Sequence, residues 1–437
     1  MAGGGAVVVI GGGVAGLSAA LSAVEAGASK VTLLEREPKL GGNSGKASYG
    51  INAVAASGDS AEAFAEDILA AATASGDDAP AAQADPALVR VLAGGSSDAL
   101  EWLQAFGMKF EEVVQGAGSK APRLRKTMGF QLVMTLGKKL DEYAKEGRAE
   151  VLKGARATEL VTAGGEVCGV RYEREGETHE VRGAVVICSG GFSANTAALP
   201  ESRAGLPLTQ GPWTLGEGSQ LATGAGAALV DEGQVQVHPT AFVDPKNPSA
   251  KSAILASESL RQAGAVLVNS EGRRFCDERS DIALTIAAKM GAFAPDAKPM
   301  PVWLVLPPKT AEAEAGHIGF YCSKGLLAKH DTVADLAKAL GVPAQALEES
   351  LGAAASEGPV VCGEVAPAVH YSLGGVKIDA SARALAATGG APVPGLFAAG
   401  EAAGGVHGRN RLAGNGLLES VVFGRLAGRG AADARVV

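Results

Sequence analysis

Three glycines, Gly11, Gly13 and Gly16, follow a β-branched run and form a GxGxxG turn, with Glu35 about 20 residues on. In that spacing the first glycine allows a tight turn and the second lets a pyrophosphate approach the backbone. The third lets a helix pack closely on the strand, and the acid accepts from a ribose. The chain has six histidines. His238, His370 and His407 lie in glycine- and polar-rich motifs, whereas His179, His317 and His330 read as surface or structural. Glu258 and Arg261 stand i and i+3 on a short helical pattern. That is the spacing of an ordinary surface ion pair.

These residues need elements to hold them. Val7–Ile10 reads as a strand buried on both faces, Leu17–Ala26 as its helix and Val31–Leu34 as the next parallel strand. Residues 39–52 form a second glycine-rich loop. Residues 58–87 read as exposed helices, and Ala87–Leu103 and Gln131–Lys145 as one helix each. Val151–Glu180 reads as several short strands leading into the buried strand 184–192. From Ala241 to about Pro359 the composition shifts towards lysine, proline and a mixed pattern, as an inserted domain does. The tail 395–428 reads strand, glycine-rich loop, helix. The expected fold class is α/β. A Rossmann-like dinucleotide domain, discontinuous over 1–238 and 362–437, carries an inserted α+β capping domain at 239–361.

Composition narrows the function. The 437 residues are 47% hydrophobic and 20% charged, so a full core can form. Glycine numbers 61, twice the usual ~7%, without a collagen period. A net charge of −8 with no basic tract speaks against nucleic acid. The five cysteines form no CxxC, so no disulfide framework, c-type haem, iron–sulfur cluster or cysteine zinc site is expected, and they read as buried free thiols. Ala6–Ile10 is too short to span a bilayer, and no metal site is read. A soluble, intracellular protein is expected, with cytoplasm and organelle matrix not distinguished.

The ordered set GxGxxG with Glu35, GGNSGKAS (41–48), VVICSGGF, VQVHPTAFVDP, ESLRQAGAVLVNSEGRRF, GEVAPAVHYSLGGVKID and AAGEAAGGVHGRNRLAGNGLLES resembles the soluble fumarate reductases, over roughly residues 6–428. The nearest likeness is to their eukaryotic, FAD-containing branch, within the wider succinate dehydrogenase and fumarate reductase flavoprotein superfamily.

The resemblance implies FAD as cofactor. It places Gly11, Gly13, Val14, Ala15 and Gly16 at the pyrophosphate and Glu35 with Arg36 at the adenosine ribose. Gly42, Asn43, Ser44, Ser189, Gly190, Gly191, Glu217, Gly400 and Glu401 line the rest. Gly416, Leu417 and Leu418 open the last helix against the flavin N1/C2=O edge. Membrane-bound relatives carry a covalently linking histidine near position 44; Ser44 stands there here, so non-covalent FAD is implied. For a dicarboxylate, the resemblance sets Arg411 and His370 on one carboxylate and His238, Ser257 and Glu258 on the other, with Glu258 and Arg261 as a pair that relays protons into the site. Arg409 reads as structural or rim.

One departure bears on mechanism. Family members carry a proton-donating arginine a few residues beyond the GRRF-like strand. The run CDERSDIAL (276–284) is about two residues shorter, and Ser280 falls at that place with Arg279 beside it. Arg279 is the nearest candidate acid. Three readings stay open: an FAD-dependent reductase of fumarate or a close unsaturated dicarboxylate, a related flavoprotein reductase of another unsaturated acid, and a non-catalytic FAD-binding subunit of a larger complex. With no second dinucleotide unit, the electron donor is expected to be external, either free reduced flavin or a partner protein.

Overall fold

The structure, a computed structural model, describes residues 4–54, 58–74, 82, 84–293, 300–434 and 436. The run Val7–Ile10 is wholly buried and forms an inner strand of a six-stranded sheet. It pairs in parallel with Val31–Glu35 on one side and Ala184–Ile187 on the other. Ala149–Lys153 and Pro392–Ala398 extend the sheet in parallel, and Arg383–Leu385 closes one edge antiparallel. A strand flanked on both sides and covered on both faces wants β-branched apolar residues, which the sequence supplies.

The helix Val14–Glu25 lies against the C-terminal helix Asn415–Asp433. Glycines set their closeness: a Cβ on Gly424 would stand 2.6 Å from the Ala15 carbonyl oxygen, and one on Gly428 2.1 Å from that of Ala19. The chain therefore ends by returning to its own first helix.

A second sheet is antiparallel. Its order is Ile254–Leu255, Val235–Phe242, Val360–Ser372, Val302–Leu306 and Val266–Val268, with Ala328–His330 also on Val360–Ser372. Phe242, Leu260, Leu267, Leu304 and Tyr321 pack in a cluster separate from the core around the first sheet. Three more antiparallel strands, Arg156–Ala163, Glu166–Arg174 and Glu177–Arg182, make a small sheet of their own.

Several local expectations change. The helix expected over Ala87–Leu103 is two, Pro86–Gly94 and Ser96–Ala105, broken at Gly95. A Cβ at Gly95 would meet the Val91 carbonyl at 3.0 Å and Val422 at 3.1 Å, so the bend seats the C-terminal helix. The helix Ala61–Ala72 is not simply exposed: it buries Phe64, Ile68 and Asp67. The rest of that expected stretch, 75–81 and 83, lies outside the described residues. All five cysteines are free, but Cys322 is exposed and Cys276 only partly covered.

Asp67 belongs to a buried ion cluster. Arg123, 1% exposed, donates to Asp59 at 2.7 Å and to Asp67 at 2.5 Å. Breaking a buried pair by removing one partner costs about 3–5 kcal/mol, because the remaining charge keeps its desolvation penalty. Arg123→Met is therefore expected to lower stability in that range. Urea unfolding checks it, and neutralising both aspartates in the same chain should recover most of the loss.

Candidate active site

The nucleotide end is built by the turn after Val7–Ile10. Gly11 has φ +108°, and a Cβ there would stand 2.3 Å from the Cys188 carbonyl oxygen. A Cβ on Gly16 would stand 1.8 Å from the Gly11 carbonyl oxygen, so helix and strand touch backbone to backbone. Gly13 is different: its nearest neighbours are Ser44 Oγ at 3.4 Å and the Gly41 oxygen at 3.8 Å. It faces a cavity of about 1020 Å³. Drug-sized pockets run to ~1,000 Å³, so this one has room for an extended dinucleotide. One oxygen of Glu35 accepts from the Gly12 N–H at 2.7 Å and the other from Glu37 N–H at 2.8 Å. Burial pushes this carboxyl up, against the pull of those two bonds. A carboxylate has about four acceptor directions, so two remain for ribose hydroxyls.

Further along the cavity lie Gly42, Asn43, Ser44, Ser189, Gly190 and Glu217, with Ala15 and Arg36. Ser44 Oγ accepts from Val14 N–H at 3.2 Å. Ser189 Oγ is buried and has no hydrogen-bond partner among the described residues, a hydroxyl left for a ligand. Glu217 is already engaged: Arg36 pairs with one oxygen and Arg156 with the other at 3.0 Å. At the far side Gly416 and Leu417 open the C-terminal helix onto the cavity. These features fit an FAD: a glycine turn that a side chain would fill, a ribose acceptor, an orphaned hydroxyl, and a helix N-terminus of the sort that favours a negative ring. Val14, Gly16, Gly191, Gly400 and Leu418 do not line the cavity. They shape its walls: a Cβ on Gly191 would sit 2.3 Å from Ser372 Oγ and one on Gly400 2.7 Å from Ala15 Cβ.

Glu401 lines the cavity and accepts from Gln210 Nε2 at 2.7 Å and Ser372 N–H at 2.8 Å. Burial, against those bonds, pushes its carboxyl up to about 7. The folded state thus holds this proton more tightly than the unfolded chain does. Its stabilising contribution is whole below the unfolded value of ~4.3 and is lost as pH rises to about 7. Glu401→Gln should flatten the fall in Tm across that window, as calorimetry against pH will read.

Beyond the cofactor end, one long strand pair carries the candidate substrate groups. Val235–Phe242 places Gln236 and His238 on one face by the two-residue period of a strand. Its partner Val360–Ser372 pairs Tyr371 with Gln236 and Val369 with Val237, leaving His370 as the extra residue of a bulge. A bulge re-aims a side chain, and here it brings the His370 ring to 5.3 Å from that of His238. The Thr209 hydroxyl holds His370 Nδ1 at 2.8 Å, and His238 Nδ1 accepts from Thr240 N–H at 3.2 Å. Backbone N–H groups only donate, so His238 turns a protonated Nε2 to the cavity. Burial, then the other histidine and the Arg261 and Arg411 charges, hold His238 well below the usual histidine range. Burial with Arg411 and Lys46 takes His370 down to about 3. Both rings are neutral at physiological pH.

Arg411 supplies the permanent charge. It is 8% exposed, its backbone is clamped by Gln236 through bonds of 2.8 and 3.1 Å, and its guanidinium lies 4.3 Å over the Tyr371 ring. Nη1 donates to the Leu412 carbonyl, while Nε is buried with no partner among the described residues. Such a planar cation with spare donors suits a carboxylate.

Ser257 and Glu258 also line the cavity. The pair Glu258–Arg261 is not a surface pair: both are buried and stand 3.4 Å apart. Arg261 does not line the main cavity. It borders a second cavity of about 190 Å³ together with Arg279. Arg279 is exposed and does not reach the main cavity, contrary to the sequence expectation for an acid. Asp277 is the reason: its Oδ1 accepts from the N–H groups of both Arg279 and Ser280, closing a turn that carries them outward. The side chain that this turn sends inward is Glu278, which accepts from Leu267 N–H at 2.8 Å and Arg274 Nε at 2.7 Å.

The structure adds groups that the sequence reading left out. Tyr49, Lys126, Glu314, His317 and Tyr321 all line the cavity. His317, read from sequence as surface or structural, is one of them. The Glu314–His317 spacing of i and i+3 was visible, but such spacing is also that of an ordinary surface pair.

The parallel sheet, glycine turn and long cavity define a dinucleotide-binding flavoprotein. Residues 6–417 match the FAD binding domain family. The chain is 36% identical to the fumarate reductase of Schizosaccharomyces pombe, over 98% of this chain and 89% of that one. It is 34% identical to fumarate reductase 1 of Saccharomyces cerevisiae, over 98% and 99%. The open conformation of a flavocytochrome c3 fumarate reductase is similar to 99% of this chain and 79% of its own, with TM-score 0.75 and 29% identity. The chain belongs to the fumarate reductase family of FAD-binding flavoproteins, and FAD is its cofactor. Among the described residues no helix is long and apolar enough to cross a membrane.

Proposed function

We propose that the protein reduces fumarate, or a close unsaturated dicarboxylate, to the saturated acid. The observation that carries this reading is that Arg411, His238 and His370 meet in the cavity that also holds the glycine turn. Bound FAD supplies the two electrons, as hydride from its reduced ring. The residues of the chain do the rest. Arg411 and His370 grip one carboxylate; His238 Nε2–H, with Ser257 and Glu258, grips the other. A neutral His238 suits this task, since Nε2–H donates without adding a proton that the product must compete for. We propose likewise that 239–361 acts as a cap on a discontinuous FAD domain, 1–238 with 362–437, a division supported by their separate apolar clusters.

The test is oxidation of the chemically reduced protein by fumarate, with succinate as product and other unsaturated acids in parallel. No oxidation by any of them would leave an FAD-holding subunit as the better reading. The external electron donor and the non-covalent attachment belong to the same proposal. Ser44 is no nucleophile towards the flavin and is already bonded to Val14 N–H. Acid denaturation should therefore release all FAD into the supernatant, and flavin that stays with the precipitated chain would sink the non-covalent reading.

A further inference from the structure

With Arg279 turned outward, the cavity needs another proton source. We propose that His317, positioned by Glu314, is the catalytic acid that protonates the substrate carbon. This rests on the reductase reading above.

His317 sits in the helix Ala315–Ser323 and faces the cavity beside Gly316, Phe320 and Tyr321. Its Nδ1 lies 2.7 Å from Glu314 Oε2. Glu314 is 5% exposed and stays ionised: despite burial, bonds from His317, Ser259 and Lys126 bring it down to about 2. A carboxylate only accepts, so Nδ1 carries a hydrogen and the tautomer is fixed. Among the described residues no hydrogen bond engages Nε2, which is left for the cavity. A carboxylate-backed imidazole is a common arrangement for a proton donor working near neutral pH.

The pair is tied to the substrate groups twice. Ser259 Oγ donates to Glu314 at 2.9 Å and lies 3.0 Å from Ser257 Oγ. Tyr321, one turn along from His317 and stacked on it at 6.2 Å, accepts from Ser257 N–H at 3.2 Å. Ser257 is one of the proposed carboxylate contacts, so His317 is held one ring away from it. The other ionisable groups around the pair are Lys126, 3.2 Å from Glu314 and 2.8 Å from Glu112, together with Tyr49, Glu258 and Tyr321. None of them replaces the imidazole: Lys126 is already held by two carboxylates, and burial pushes both tyrosines up.

The step balances. Hydride addition at one alkene carbon leaves an electron pair at the other. The Nε2–H bond of the imidazolium breaks, a C–H bond forms with that pair, and fumarate dianion becomes succinate dianion. Neutral imidazole remains. Its side chain is 23% exposed, so the proton is regained from solvent.

The experiment uses the FAD-loaded protein. His317→Asn is expected to cut fumarate reduction 10²–10⁴-fold, the usual worth of a general acid, with FAD content and succinate affinity within about threefold of the parent. Glu314→Gln, which alters only the positioning group, should lower kcat with KM within about threefold of the parent's, and Glu314→Asp should recover part of the loss. Succinate should also shift the His317 imidazole NMR signal, a readout independent of turnover. Full activity in His317→Asn, or loss confined to Arg279→Gln, overturns the proposal while leaving the reductase reading intact. A parent protein that never reduces an unsaturated acid overturns both.

Discussion

Arg411→Gln is expected to lose roughly 30- to 4,000-fold in kcat/KM for fumarate while keeping its FAD. The range follows from the ~2–5 kcal/mol lost when one member of a buried, hydrogen-bonded charge pair is removed, at 1.4 kcal/mol per factor of ten. The fold should survive, because among the described residues the guanidinium makes one hydrogen bond, to the Leu412 carbonyl, and otherwise lies over Tyr371. The backbone of Arg411 is clamped by Gln236 whatever its side chain. Arg411→Lys should recover little, since an ammonium cannot present the forked pair of donors. The substitution also has a pH signature. Arg411 is the second cause, after burial, of the low His370 value of about 3. Without it the imidazole gains protons more readily on acidification, so the variant's activity should change further on the acid side than the parent's does. Steady-state kinetics from pH 5 to 8 read both effects. Turnover equal to the parent would remove Arg411 from the site.

How much of this was legible in the sequence depends on how local each feature is. The GxGxxG turn, its strand, its helix and Glu35 lie within 30 residues, and their spacing alone fixes the geometry. The second sheet is different. That His238 and His370 meet depends on an antiparallel register between strands 130 residues apart, and on a bulge at His370. The family resemblance implied a shared site; it could not have supplied the 5.3 Å. The helix break at Gly95 has its cause in Val422, far along the chain. His317 was missed because its helix faces the cavity through Ser259 and Tyr321, contacts that no local pattern records. Arg279 was over-read for a related reason. A cation near the expected place was counted, but the Asp277 turn that points it outward is a matter of two backbone hydrogen bonds. Glu217, expected on the cofactor, is also tied down by two arginines, one of them on a different sheet.

The glycine turn separates folding from binding within one motif. Gly16→Val is expected to give no folded protein. Its Cβ would stand 1.8 Å from the Gly11 carbonyl oxygen, and both atoms belong to backbone. Relief requires the helix Val14–Glu25 to lift from the sheet, and that helix buries eleven of its twelve residues. Moving it would also unseat the C-terminal helix against which Gly424 and Gly428 pack. Gly13→Val should behave otherwise. Gly13 sits at φ −75° in extended backbone, which any residue adopts, and among the described residues the nearest atom beyond its chain neighbours, Ser44 Oγ, would stand 3.4 Å from its Cβ. The apoprotein should fold with Tm close to the parent's. Its isopropyl group, however, would project over the N–H groups that end the strand and begin the helix, where the cofactor diphosphate must lie against backbone. The purified variant should be colourless and take up no FAD on titration. A yellow Gly13→Val protein with stoichiometric FAD would move the diphosphate away from this turn, and with it the whole orientation of the cofactor along the cavity.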